Sequence, residues 1–89
     1  MILESEIQRK IIKKLTDQGW YVVKIIQTNK NGFPDLMCLK SGRTIFIEVK
    51  RPEGKPRPLQ VYRMKEIMGY GFECYVMSSI HDIVYIDSK

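Results

Sequence analysis

The segment Thr44–Lys50 constrains the fold more than any other part of the sequence, because it has the alternating pattern of a β-strand. Alternate side chains of a strand share a face of the sheet. One face therefore carries Ile45, Ile47 and Val49, and the opposite face carries Phe46, Glu48 and Lys50. The aliphatic face must pack against helices, while Phe46 indicates that the second face is not simply exposed to solvent.

The rest of the pattern predicts two helices and further strands around this segment. Apolar residues recur at helical spacing near the N-terminus, and β-branched and aromatic residues dominate the strand-like runs. The predicted helices cover residues 2–18 and 59–70, and Pro58 is suited to open the second helix. The predicted strands cover residues 20–26, 35–40, 44–50 and 72–77. Residues after Ile80 fit either a short helix capped by Ser78 or Ser79, or a strand over 84–86.

The order of these elements predicts an α/β fold. A tight turn at Ser41-Gly42 makes residues 35–50 a hairpin, and the helices lie on either side of it in the chain. We therefore expect an αβββαβ core, with one mixed sheet flanked by helices, in a single domain over residues 1–89.

Composition limits the cellular context and the class of partner. The N-terminus is an acidic, amphipathic segment without the basic-then-apolar plan of a signal peptide, and the apolar runs are of strand length, so we expect a cytoplasmic protein. Cys38 and Cys74 lie inside apolar runs and are expected to be buried and reduced. The formal net charge of +5 is compatible with a polyanionic partner and with a merely soluble basic domain.

Asp35, Glu48 and Lys50 are the first candidates for chemistry. Glu48 and Lys50 share a strand face, and Asp35 begins the neighbouring run, so the three side chains can meet. Two carboxylates and an ammonium would suit a divalent metal ion with a water molecule beside it. Alternatively, Asp35 is a turn residue and the other two form a solvent-facing pair.

The helical wheels add Glu4 and Gln60. Glu4 falls on the inward arc of the first helix, whereas Glu6 falls on the opposite arc, which favours Glu4 as a further metal ligand. The alternative is that Glu4 only complements the helix dipole. Gln60 lies on the inner arc of the second helix, where it would bond either to a carboxylate, water or phosphate, or to nearby backbone.

A basic loop follows the candidate site directly. Lys30, Arg51, Lys55 and Arg57 are predicted to contact phosphates, with the prolines of the loop limiting its flexibility. Lys24 and Arg43 extend this predicted patch; the alternative is a solvated loop. His81, the only histidine, is interpreted as a surface or capping residue.

The ordered set of motifs resembles the VRR-NUC branch of the PD-(D/E)xK nuclease superfamily. The motifs are Glu4-Ser5-Glu6-Ile7-Gln8, Gly32-Phe33-Pro34-Asp35-Leu36, Ile47-Glu48-Val49-Lys50, Gln60 and Gly71. A shift in alignment would put Glu6 in place of Glu4.

The resemblance implies a restriction-endonuclease-like core and a metal-dependent DNA endonuclease. By resemblance, Asp35, Glu48, the carbonyl of Val49 and Glu4 would bind Mg²⁺ or Mn²⁺. Lys50 would orient or deprotonate the attacking water, and Gln60 would position the lysine, water or phosphate. Oxygen ligands also favour Mg²⁺ or Mn²⁺ over Zn²⁺.

The resemblance further implies a homodimer that acts on branched DNA such as Holliday junctions, in DNA repair, in the cytoplasm of a bacterium or a phage-infected host cell. Flap or nicking activity remains an alternative. Two other classes also remain: a non-catalytic nucleic-acid-binding module with the same fold, and a small regulatory protein with an incidental acidic cluster.

Overall fold

The computed structural model describes residues 2–88, which form one four-stranded mixed sheet with helices on both faces. The strand order is β1-β2-β3-β4; the first three strands are antiparallel to one another, and β4 is parallel to β3. The elements are α1 (Glu4–Asp17), β1 (Tyr21–Lys24), β2 (Leu36–Lys40), β3 (Arg43–Val49), α2 (Pro58–Gly69), β4 (Glu73–Met77) and a C-terminal 3-10 helix (Ile80–Ser88). The predicted α/β class and αβββαβ order are confirmed.

The hydrophobic core lies between α1 and one face of the sheet. The stripe of α1 formed by Ile7, Ile11 and Leu15 is buried, as the helical spacing predicts. The aliphatic face of β3 packs in the same cluster with Leu36 of β2 and Ile86 of the C-terminal helix. Burying one stripe of a helix against one face of a sheet removes these apolar side chains from water, which is the main stabilising term of such a domain.

The β2–β3 hairpin sets the register that the site depends on. Its two-residue turn has positive φ at both positions, 49° at Ser41 and 79° at Gly42, which matches the right-handed twist of the strands. Leu36 pairs with Ile47, so the residue before Leu36 lies beside the residue after Ile47. This register brings Asp35 next to Glu48 at the far end of the hairpin.

The second face of the sheet is covered by α2 and by aromatic side chains. Met64 and Ile67 of α2 are buried, and the helix contacts β4. Phe46 of β3 makes edge-to-face contacts with Phe33 and Phe72, with ring centroids 5.6 Å and 6.4 Å apart. The expectation that this face is not simply exposed to solvent is therefore confirmed.

Two sequence predictions are refined by the structure. The first strand is shorter than predicted and ends at Lys24, although the Ile25 N–H still donates to the carbonyl of Asp35 (2.8 Å). The C-terminal segment is helical and not a strand. Ser79 Oγ accepts a hydrogen bond from the His81 N–H (2.9 Å), so Ser79 caps this helix.

Both cysteines are free thiols. Cys38 is fully buried and Cys74 partly buried, and burial raises the pKa of the Cys38 thiol to about 12. Within residues 2–88, no helix is both long and apolar enough to cross a membrane.

Candidate metal and phosphodiester site

Four of the predicted site residues meet at one end of the sheet. Asp35 stands just before β2, Glu48 lies near the end of β3, Lys50 follows that strand, and Gln60 lies in the first turn of α2. The hairpin register positions the two carboxylates, and the packing of α2 on the second face positions Gln60. The site therefore depends on three separate elements.

Asp35 is held by the backbone of the neighbouring strand. Its Oδ2 accepts a hydrogen bond from the Val49 N–H at 2.7 Å. Burial raises the pKa of Asp35 above its ordinary value, and the charge of Glu4 acts in the same direction. The Val49 hydrogen bond and the charges of Lys50 and Lys24 partly oppose that increase.

Glu48 is buried, with 2% of its surface exposed, and its two oxygens have different surroundings. Oε2 accepts a hydrogen bond from Gln60 Nε2 (2.8 Å) and lies 3.4 Å from Lys50 Nζ. No donor among residues 2–88 reaches the buried Oε1. Burial raises the pKa of Glu48 to about 7, and the nearby Asp35 charge adds to the increase, while Lys50 opposes it.

Gln60 satisfies both alternatives that the sequence left open. Its Oε1 accepts a hydrogen bond from the Arg57 N–H (2.8 Å), which is the local backbone interaction expected in the first turn of a helix. Its Nε2 donates to Glu48 Oε2. Gln60 is 8% exposed, so its amide connects the start of α2 rigidly to the carboxylate.

Glu4 lies near the site, although not as the helical wheel predicted. Its charge contributes to the raised pKa values of both Asp35 and Glu48. However, Glu4 is exposed, so it is not a buried carboxylate as its place on the inward arc suggested. The first turn of α1 extends past the core, whose first buried residue on this helix is Ile7. Glu6 is also exposed.

The predicted phosphate-contacting residues are mostly in exposed loops. Arg51, Lys55 and Arg57 are exposed in the segment that joins β3 to α2, and Lys30 is exposed in the loop before Asp35. A surface depression of about 440 Å³ lies between the turn at 51–54 and Ile2. These positions leave the cations accessible to a large anionic partner.

Arg43 is not part of this patch, and its assignment there is wrong. It begins β3, at the opposite end of that strand from Glu48. Its guanidinium binds both carboxylate oxygens of Glu73 (2.7 and 2.6 Å) and the carbonyl of Ile86 (2.8 Å). Arg43 thus fastens the C-terminal helix to the sheet.

The residues at the site suit a divalent metal ion held by oxygen ligands. Across residues 2–88, no three His, Cys, Asp or Glu side chains come close enough to hold a metal without other ligands. Asp35 and Glu48 would therefore need backbone or water oxygens to complete a ligand shell. A cation would satisfy the buried Glu48 Oε1, and its charge would offset the burial that raises both carboxyl pKa values.

Two contacts that position the site were missed at the sequence level. Gly32 lies against Leu59 so closely that an added Cβ would come within 2.8 Å of Leu59 Cγ. Arg63 Nε donates to the Asn31 carbonyl at 2.7 Å. Both contacts hold the loop before Asp35 against the start of α2. The Asn31-Gly32 pair signals a turn, but no local pattern reveals which helix the turn touches.

The fold is similar to that of solved VRR-NUC domain structures. One solved VRR-NUC domain superposes with a TM-score of 0.83 at 25% sequence identity, covering 96% of this chain and 94% of that one. A second, a VRR-NUC domain protein, has a TM-score of 0.81 at 19% identity, covering 99% of this chain and 87% of that one. Both superpositions cover nearly all of this chain, which therefore has the compact α/β fold of these VRR-NUC domains.

The family follows from the sequence comparisons. The model of the VRR-NUC domain family matches residues 3–80. A phage protein named "Putative nuclease p44", from Acyrthosiphon pisum secondary endosymbiont phage 1, is 29% identical over 80 residues, which are 89% of this chain and 86% of that protein. The chain belongs to the VRR-NUC family.

Proposed function

We propose that this chain is a DNA endonuclease that hydrolyses phosphodiester bonds with Mg²⁺ or Mn²⁺. The observation that carries the proposal is the buried Glu48 carboxylate beside Asp35, with an Oε1 that receives no hydrogen bond from residues 2–88. A buried ionised carboxylate without a full set of partners is costly, and a bound cation removes that cost.

Asp35 and Glu48 would hold the ion, with the Val49 carbonyl as a backbone ligand and Glu4 in support. When bound, Mg²⁺ would supply Lewis-acid stabilisation of the phosphate oxygens and promote ionisation of the attacking water. Gln60 keeps Glu48 in place through Oε2, which leaves Oε1 available to the ion.

Lys50 is the residue we assign to the attacking water and to the charge of the transition state. Its Nζ lies 3.4 Å from Glu48 Oε2, and its side chain is 12% exposed. The ammonium form would orient the water and stabilise the negative charge that develops on the phosphate oxygens, and the neutral amine form would accept a proton from the water.

The proposed substrate is DNA, and branched DNA such as a four-way junction in particular. The formal net charge of +5 and the exposed cations Lys30, Arg51, Lys55 and Arg57 support a polyanionic substrate. The choice of branched DNA, and a role in repair in the cytoplasm of a bacterium or a phage-infected cell, rest on the family resemblance. Flap cleavage or nicking is the alternative within the same chemistry.

We also propose a homodimer, which would give two sites related by a two-fold axis for a junction of matching symmetry. Exposed apolar side chains between α2 and the edge strand β4 support it: Met68, Tyr70, Phe72 and Val76 are 47, 80, 45 and 42% exposed. Light scattering should give twice the chain mass of 10.5 kDa, and a monomer mass would contradict this arrangement.

The experiment that tests the function is incubation with junction, flap, duplex and single-stranded DNA, each with Mg²⁺ and with a chelator. We expect Mg²⁺-dependent cleavage, fastest on the junction. Asp35→Asn and Lys50→Ala should lose at least about 100-fold in rate, because each removes a group that acts in the transition state. Lys65→Ala, on the exposed side of α2, serves as the matched control for a lost lysine.

The same experiment separates the proposal from a non-catalytic binding module. A binding module would retain the four DNA molecules without cutting any of them, with or without Mg²⁺. Such a result with the unmodified chain would overturn the enzyme assignment. The regulatory-protein alternative predicts neither cleavage nor salt-dependent affinity for DNA.

A further inference from the structure

A groove lined by two cationic residues lies beside the candidate site, between α1 and the edge strand β1. It has a volume of about 300 Å³ and is lined by Ser5, Gln8, Arg9, Ile12 and Lys24. The four helical residues are spaced at i, i+3, i+4 and i+7, so they form one stripe of α1. This stripe runs alongside the buried stripe and faces the edge of the sheet.

The cations of the groove are in no ion pair with a carboxylate of residues 2–88. Within residues 2–88, neither Arg9 nor Lys24 forms an ion pair, whereas Lys13, Arg43 and Arg63 each pair with a carboxylate. Arg9 and Lys24 are both exposed. Two unpaired cations beside hydroxyl and amide donors form a set that suits the oxygens of a phosphate group.

The groove opens at the same end of the sheet as the carboxylates. Lys24 is the last residue of β1, and the next residue, Ile25, donates its N–H to the Asp35 carbonyl. The charge of Lys24 lowers the pKa of Asp35, which places the ammonium within electrostatic reach of the site. Ser5 is adjacent in sequence to Glu4, whose charge also reaches Asp35.

We propose that this groove binds a backbone phosphate of the DNA strand being cut, next to the phosphate at Asp35 and Glu48. Lys24 and Arg9 supply the charge, and Ser5 and Gln8 supply neutral hydrogen bonds. They are positioning residues, because they hold the strand and do not touch the reacting atoms. The inference rests on the proposed nuclease function and extends the contact surface beyond the basic loop, to the α1 side of the site.

The arrangement has a physical reason. Three carboxylates, those of Glu4, Asp35 and Glu48, repel a phosphate backbone unless cations lie close to them. The basic loop at 51–57 follows β3, whereas the groove lies beside β1, and β2 separates these two strands in the sheet. Cations in the groove would hold the strand from the opposite side, so that the strand crosses the carboxylates.

The test is a double variant, Arg9→Gln/Lys24→Gln, compared with Lys10→Gln/Lys65→Gln, which removes two exposed positive charges away from the groove. We expect the groove variant to raise the KM for DNA cleavage by about tenfold or more with kcat nearly unchanged. The slope of log affinity against log salt should fall by about 0.9 for the lost phosphate contact. The control should change neither quantity comparably.

Equal KM values and equal salt slopes for the two double variants would overturn the inference. The conservative variant Arg9→Lys/Lys24→Arg should restore the KM, and failure to do so in a folded protein would also count against it. Absence of cleavage by the unmodified chain would overturn the proposed function instead, while the salt slope of DNA binding would still decide whether the groove contacts phosphate.

Discussion

Glu48 is the residue at which burial and charge conflict most directly. Its carboxylate is inside the protein, it has Asp35 as a neighbour, and only one of its oxygens receives hydrogen bonds from residues 2–88. Without a metal ion, the protein reduces the conflict by protonation, which is why the pKa of Glu48 is raised to about 7 from an ordinary 4.5.

The raised pKa predicts a pH-dependent stability of the metal-free protein. The unfolded chain releases this proton near pH 4.5 and the folded chain near pH 7, so the folded state binds the additional proton between these values. The associated stability is fully present below pH 4.5 and is lost as the pH rises through 7. Its size is about 3 kcal/mol.

The measurement is urea unfolding in chelator at about pH 5 and about pH 8. Glu48→Gln should remove most of this loss of stability at the higher pH, since the amide has no proton to lose. Glu6→Gln, at an exposed position on the same molecule, is the control and should keep the original pH dependence. An unchanged pH dependence in Glu48→Gln would contradict the electrostatic account.

At the scale of elements, the site depends on how the loop before Asp35 meets α2. Gly32 has a φ of +81°, and its Cα faces the backbone and side chain of Leu59, in the first turn of that helix. The next residue in α2 is Gln60, which bonds to Glu48. A change at Gly32 would therefore disturb the relative position of Asp35 and Gln60 without removing either side chain.

Two glycines allow this contact to be tested against backbone strain alone. Gly42 also has positive φ (+79°), but an added Cβ there meets no atom of the described chain within 4 Å. Gly42→Ala should cost about 1 kcal/mol from backbone strain, and Gly32→Ala about 3 kcal/mol because the clash with Leu59 is added. Chemical unfolding measures both, and equal losses would show that the close approach to Leu59 has no energetic consequence.

Local sequence patterns predicted some features of the helices and strands and missed others. The alternation in Thr44–Lys50 was sufficient to predict which face of β3 is buried and which carries Glu48 and Lys50, because a strand's period of two is local. The helical wheel did not reveal that Glu4 is exposed, since a wheel gives the direction of a side chain but not whether the core extends that far. Arg43 was misplaced for a related reason: its charge is visible in the sequence, but its partner Glu73 lies 30 residues away.

At the scale of the whole molecule, the hydrophobic core and the polar site occupy different parts of the sheet. One face and α1 hold nearly all the large buried aliphatic residues, while the ends of β2 and β3 carry the polar site. The basic loop after β3 and the groove beside β1 then flank the carboxylates. The fold class was predictable from local patterns, and so was the meeting of Asp35, Glu48, Lys50 and Gln60 at one end of the sheet. The groove was not, because it joins α1 to β1 across the fold.

The central claim is that Asp35 and Glu48 together bind a divalent metal ion. Its most direct test is a titration of the protein with Mn²⁺ near pH 8, with bound ion measured by electron paramagnetic resonance. We expect saturable binding by the unmodified chain and by Lys50→Ala, and its loss in Asp35→Asn and in Glu48→Gln. Undiminished Mn²⁺ binding in the two carboxylate variants, or none by the unmodified chain, would contradict the account.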